Sequence, residues 1–166
     1  MFRPPNALVT IVAALAALNW VHARAVRWAF QRNLARLWAG DPEPLLATYA
    51  DDVRFCFPGR SSWAGDFRGK EEVARWLRRF VRVGLRFAVH EILVVGPPWD
   101  ATLCLWFTDR LTDADGGVVY ENRGTIMAKL TWGKIVAYEV NEDTQKVAAL
   151  DAYLEEHGAS AAAAGE

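Results

Sequence analysis

Cysteine, histidine and net charge are all scarce in this 166-residue chain. Two cysteines, Cys56 and Cys104, do not make a disulfide framework, and both lie in strand-like runs. The three histidines, His22, His90 and His157, are scattered, and no Cys/His cluster has the spacing of zinc ligands. The sequence therefore implies no metal site and no cofactor. A net charge of -1 excludes a nucleic-acid partner recruited by bulk positive charge. No internal repeat is visible, and 52% apolar with 23% charged residues excludes a disordered or fibrous chain.

What is abundant is aromatic: 8 Trp and 8 Phe, enough for a thick core or an aromatic-lined pocket. The length fits one domain. Charge is unevenly spread. Residues 1–90 hold 14 Lys/Arg against 7 Asp/Glu, whereas residues 91–166 hold 5 against 13. Such asymmetry suits a dimer interface or an N-terminal segment near anionic lipid, and equally two solvated faces of one domain.

The first long apolar run, "ALVTIVAALAAL" from Ala7 to Leu18, has no charge on any face. Arg3 precedes it and small residues, Ala23 and Ala25, follow, the layout of a secretory signal. Extended to Val21 it makes a marginal membrane anchor, being short of the ~20 residues of a full span. A helical extension packed on the domain or on a second subunit is the third reading. Residues 1–25 are thus set apart as an apolar extension, 26–157 as the domain, and 158–166 ("ASAAAAGE" with its preceding glycine) as a flexible tail. The corresponding locations are cytoplasmic, exported or membrane-tethered, with membrane contact through residues 7–21.

Val26, Phe30, Leu34 and Leu37 recur at helical spacing, and Gly40 ends that helix. Asp41-Pro42 opens a second helix carrying Leu45, Leu46 and Tyr49. "VRFCF" reads as a short strand closed by Pro58-Gly59, and the segment with Ser61, Ser62 and Trp63 reads as a loop. From about Lys70 a helix presents Val73, Trp76, Leu77 and Phe80 on one side and Arg75, Arg78, Arg79 and Arg82 on the other. Four strands follow, roughly 86–95, 101–112, 118–131 and 134–141, separated by "GPPW", "DADGG" and "WG" turns that favour consecutive antiparallel pairing. Asp143 caps a last helix with Val147, Leu150 and Leu154 on its stripe, and Gly158 ends it.

The stretches "RLWAGDPEPLLATYADDVRF", "GKEEVARWL", "VVYENRG" and "WGKIVAYEVNEDTQKV", in this order and spacing, resemble the SnoaL-like, nuclear-transport-factor-like superfamily that includes ketosteroid isomerase. The resemblance covers about residues 26–154. It implies an α+β fold: a cone-shaped, curved antiparallel sheet with N-terminal helices enclosing a pocket, a cystatin-like roll, plus a C-terminal helix. The superfamily holds isomerases, epoxide hydrolases, polyketide cyclases, dehydratases and binding modules, so the pocket residues must decide the function.

Carried over residue by residue, the resemblance removes the best-known chemistry. The isomerase's general-base Asp corresponds to Phe57, and its protonated Asp falls near Ile126 or Met127. The epoxide hydrolase's Arg-x-Asp corresponds to Arg110-Leu111-Thr112, and its second Asp to Val140. Strand alternation leaves other polar groups for the pocket. Arg110, Tyr120 and Asn122 are expected inward, with Trp106 and Phe57 as apolar walls, Trp63 nearby, and Asn141 and Glu142 on the rim. The alternative, Arg110 and Arg123 in surface cross-strand pairs with Glu121 or Asp109, stays open.

Three functions follow. The first is a non-catalytic domain binding a small lipophilic or aromatic molecule. The second is a cyclase-, isomerase- or dehydratase-like enzyme whose carboxylate is Asp109 or Glu121, in which case that acid is buried with a raised pKa. The third is a homodimeric interaction module.

Overall fold

The computed structural model describes residues 7–157; the tail and the Gly158 helix stop lie outside the described residues. Helix α1 (Ala7–Trp38) runs unbroken across the boundary between Ala25 and Val26. Its second half buries Leu34 and Leu37 in the core, while Leu8, Ile11, Val12, Leu15 and Leu18 stay exposed. The same helix is therefore an apolar arm at one end and a core element at the other.

Gly40, at φ 85°, ends α1 in the left-handed conformation that favours glycine. Asp41 Oδ1 accepts from the Glu43 amide at the start of the single-turn α2 (Glu43–Leu46). Strands β1 (Tyr49–Phe57) and β2 (Gly65–Arg68) come next, followed by α3 (Lys70–Val83). The chain then makes β3 (Arg86–Val95), β4 (Ala101–Thr112), β5 (Val118–Thr131) and β6 (Lys134–Glu142), and ends in α4 (Thr144–Glu156). Asp143 caps α4, accepting from the Gln145 and Lys146 amides.

The six strands form one sheet in the order β2-β1-β6-β5-β4-β3. Neighbours are antiparallel except β1 and β6, which run parallel. β2 corrects the loop reading. "GDFR" has two charged residues in four and no apolar alternation, so nothing local marks it. Its pairing comes from β1, reinforced by Arg54, which donates to both Asp66 carboxylate oxygens at 2.9 and 2.7 Å.

The core lies between the helices and the inner sheet face. Phe67, Phe55, Tyr138 and Tyr49 stack in succession, with centroids 5.3, 4.2 and 5.4 Å apart. A second chain of rings, Trp76, Phe80, Trp38 and Phe87, fixes α3 and α1 over β3. Burying each such side chain contributes roughly 1.5–3 kcal/mol, which is why the aromatic supply goes mostly into this layer.

Candidate functional site

Strand alternation sorts β4 cleanly. Leu103, Leu105, Phe107, Asp109 and Leu111 face the core, while Trp106 and Arg110 face out. On β5 the inner set includes Tyr120, Asn122, Gly124, Ala128 and Leu130, and on β6 Tyr138 and Val140. Alternation carries that last series on to Glu142, which is half-buried and lines the cavity.

In the sheet Asp109 lies opposite Asn122, and Gly124 lies opposite both Phe107 and Glu142. Gly124 is required here by close approach. A Cβ on it would meet Asn141 O at 2.6 Å, Glu142 Cβ at 2.8 Å and Phe107 Cζ at 2.9 Å. The missing side chain leaves room for Glu142 and Asp109 to reach each other across the inner face.

These two carboxyls end a narrow inner chamber of about 80 Å³ whose other walls are apolar, Phe57, Trp76, Phe80, Phe107, Ile126 and Val140 among them. Burial raises both pKa values, Asp109 to about 6 and Glu142 to about 8, and the two groups interact electrostatically. The neighbouring charge of Asp109 further disfavours ionisation of Glu142. Such a coupled pair titrates as a unit, with Glu142 the acid more readily held protonated. Asp109 Oδ1 and Glu142 Oε2 are buried without a hydrogen-bond partner among the described residues.

Tyr120 and Asn122 adjoin the pair. Tyr120 is buried on the same inner face, opposite Leu111 in the sheet. Asn122 Nδ2 donates to Tyr120 Oη at 3.1 Å and to the Asp143 carbonyl at 3.0 Å. The network links the inner face of β5 to the N-terminus of α4.

A wider outer chamber of about 390 Å³ lies beside the inner one, and the two share Phe30, Leu45, Leu103 and Ile135 as walls. It is apolar apart from a few groups, notably His22 and Asn33. Both His22 ring nitrogens and Asn33 Oδ1 are buried without a hydrogen-bond partner among the described residues. Asn33 Nδ2 donates to the Pro44 carbonyl, which fixes the amide with its oxygen unpaired. Buried polar atoms without partners are uncommon and suit groups awaiting a ligand.

The expected site residues separate into two sets. Asp109, Phe57, Tyr120 and Asn122 are buried on the inner side, with Asp109 and Phe57 lining the inner chamber. Arg110, Trp106, Asn141 and Glu121 are corrections: all four face outward. Arg110 pairs with Glu121 at 2.6 Å on the exposed face, the cross-strand alternative. Trp106 stacks beside His90 there, centroids 4.7 Å apart. Their positions follow from β4–β5 register, in which Arg110 lies opposite Glu121 and Asp109 opposite Asn122. Trp63 is buried away from the chamber, under Arg79 (3.9 Å) and against Trp76. Arg79 in turn donates to Ser62, whose hydroxyl donates to Asp151, tying α3 to α4.

Glu142, Asn33 and His22 are the polar groups the sequence reading underweighted. Glu142 was legible from period-two alternation with Tyr138 and Val140, and Asn33 from its place three residues after Phe30 on the apolar stripe. Among the described residues no group of three or more His, Cys, Asp or Glu is placed to hold a metal ion. Both cysteines are free.

A family model described as the SnoaL-like domain matches residues 30–138. Comparison with curated proteins gives no match. Among solved structures, an NTF2-like protein of unknown function from Burkholderia pseudomallei is 21% identical with a TM-score of 0.63, covering 76% of this chain and 96% of that one. A polyketide cyclase-like protein of Xanthomonas campestris pv. campestris is 18% identical with a TM-score of 0.55, covering 76% and 96%. TerC, co-crystallised with polyporic acid, is 21% identical with a TM-score of 0.59, covering 72% and 92%. At these identities the structural likeness establishes the cone fold.

Proposed function

The chain belongs to the SnoaL-like domain family, and on that premise we propose that it binds a small, flat, apolar molecule in its cone and exchanges a proton with it through Asp109 and Glu142. One observation carries the reading: two carboxyls end an otherwise apolar chamber, each with an oxygen unpaired. Of the positions that by the resemblance hold acids in the isomerases and hydrolases, Phe57, Ile126 and Val140 are apolar walls here and Thr112 is exposed. The acid function has moved to neighbouring strand positions.

The chemistry is proton transfer beside a carbonyl, the step common to isomerases, cyclases and dehydratases. Ionised Asp109 takes the C–H proton, and protonated Glu142 gives its proton to the carbonyl oxygen as charge develops. The inner chamber admits only a few non-hydrogen atoms, so the ligand's body occupies the outer chamber and its reactive end passes Phe30 and Leu45. His22 and Asn33 orient the body. The co-crystal of TerC is a precedent for a ligand in this fold.

Deuterium incorporation from heavy water into a panel of cyclic and aryl ketones, followed by NMR, tests this. The wild type should catalyse exchange, and Asp109→Asn should lose it by about 10²-fold or more. Glu121→Gln, on the outer face, should retain it. Binding of panel members without exchange would leave the chain as a binding protein only, which removes the catalytic half of the reading.

A second reading concerns the outer sheet face, where Leu93, Cys104 and Met127 form one row across three strands. Leu93 and Met127 are about half exposed. Such a row suits pairing with a second copy. Light scattering decides it: a strict monomer overturns the dimer.

A further inference from the structure

The outer chamber is lined by His22, Ala25, Val26 and Ala29, at the base of an exposed apolar arm. The 17 residues from Ala7 to Ala23 carry no Asp, Glu, Lys or Arg, and the stretch of α1 that includes them passes the length and composition test for a membrane span. At 1.5 Å per residue they extend about 25 Å, most of a bilayer's hydrocarbon thickness of ~30 Å. Almost none of that surface is buried in the domain. Arg24, Arg27 and Arg32 follow at once, and the N-terminal half carries the chain's positive excess.

Tryptophans surround the same point. Arg24 lies over Trp20 at 5.0 Å and Arg32 over Trp28 at 4.7 Å, both rings exposed. On the sheet side, Trp99 and Trp132 sit together, centroids 5.9 Å apart, on the β3–β4 and β5–β6 turns. The Trp132 amide donates to the Pro98 carbonyl at 2.7 Å, locking the two turns to each other. Trp132 is 70% exposed and has φ 51°, with Gly133 at φ 78° beside it. A two-residue hairpin turn of this kind favours Asn or Gly at its first position, and a bulky ring held there is strained. The fold thus spends conformational energy to present an indole to the outside, at a position that also lines the outer chamber beside His22.

We propose that this end of the domain docks on a lipid bilayer: the Ala7–Val21 arm inserts, Trp20, Trp28, Trp99 and Trp132 lie at the interface, and the mouth of the outer chamber faces the lipid. Trp and Arg are the residue types that occupy the headgroup zone, the indole for its apolar body and polar N–H, the guanidinium for anionic headgroups. The ligand is then a lipophile dissolved in the bilayer, reaching the cavity without crossing water. Only this last identification rests on the cavity reading above. Docking is read by fluorescence quenching and the cavity by proton exchange, so either can fail alone.

The test uses the full chain with vesicles of mixed phosphatidylcholine and phosphatidylglycerol, part of the phosphatidylcholine brominated near the carbonyl end of its acyl chains. Vesicle binding with quenched tryptophan fluorescence is expected. The double variant Trp99→Phe/Trp132→Phe should lose about half of the quenchable signal, since two of the four interfacial indoles are gone. Trp106→Phe, on the outer sheet face, should leave the amount of quenchable signal unchanged. Equal losses in the two variants, quenching indifferent to the turn pair, or a chain that stays off vesicles as a helix-paired dimer would overturn the proposal. So would a mature chain beginning near Val26 in a native host, because cleavage there removes the arm and His22.

Discussion

Asp109 and Arg110 are neighbours on one strand, yet they belong to two different environments. Arg110 meets Glu121 on the outer face, with both side chains about half exposed. Asp109 meets Glu142 inside, at the end of an apolar chamber. The outer pair has opposite charges and contributes little, because water screens the attraction and solvates either partner alone. The inner pair would carry like charges, and burial disfavours the ionisation of both. Proximity and charge do not make a site. A site arises where solvent is withdrawn.

The largest test of that contrast attacks the inner wall. Phe57 is buried, packed 5.6 Å from Trp76 and 6.3 Å from Phe55. Phe57→Asp places an unpaired carboxylate there and should cost about 4 kcal/mol or more. Urea unfolding measures it, and a loss under 1 kcal/mol would mean that the wall is open to water.

Next comes pH. Asp109 and Glu142 have folded-state pKa values raised above their unfolded ones, so the native pair binds more protons than the unfolded chain between about pH 4 and about pH 8. Stability should be greatest at the low end of that window and decline as pH rises through 8, by a few kcal/mol in all, on the order of 1 kcal/mol per unit. Asp109→Asn should flatten the decline, as read from thermal unfolding across the window. An unchanged slope in the variant would show that the two acids are not coupled.

Gly124→Ala is a smaller change with a focused effect. Its Cβ meets backbone and ring atoms under 3.0 Å, so β5 and β6 must part. A loss of about 2 kcal/mol is expected, together with a weaker pH dependence because Glu142 shifts. Denaturation at two pH values separates the two effects. Last, Arg110→Ala should change stability by no more than about 0.5 kcal/mol, and a loss above about 2 kcal/mol would erase the contrast between the two faces.

Much of the fold was legible in the chain. Apolar periodicity marked α3 and α4, the Gly- and Pro-bearing turns marked the four long strands, and Asp143 marked the start of α4. β2 was hidden because four residues with two charges carry no pattern of their own. The site was half legible. Alternation separated Asp109 from Arg110, but the sequence alone could not say which set faces the core. The "DADGG" turn permits more than one register, and a shift of one residue exchanges the faces.

The amino-acid sequence by itself determined the four long strands and the helices α3 and α4, the cone family, and the absence of acids at Phe57 and Val140. Those properties are local: period, turn chemistry and residue identity survive without knowing what lies across the sheet. Only the tertiary structure decided that Asp109 and Glu142, 33 positions apart in the chain, face each other across the gap at Gly124. It also decided that the apolar arm continues into the helix that walls the outer chamber. Coupled titration and desolvation are properties of enclosed space, and no residue carries them until the sheet closes around it.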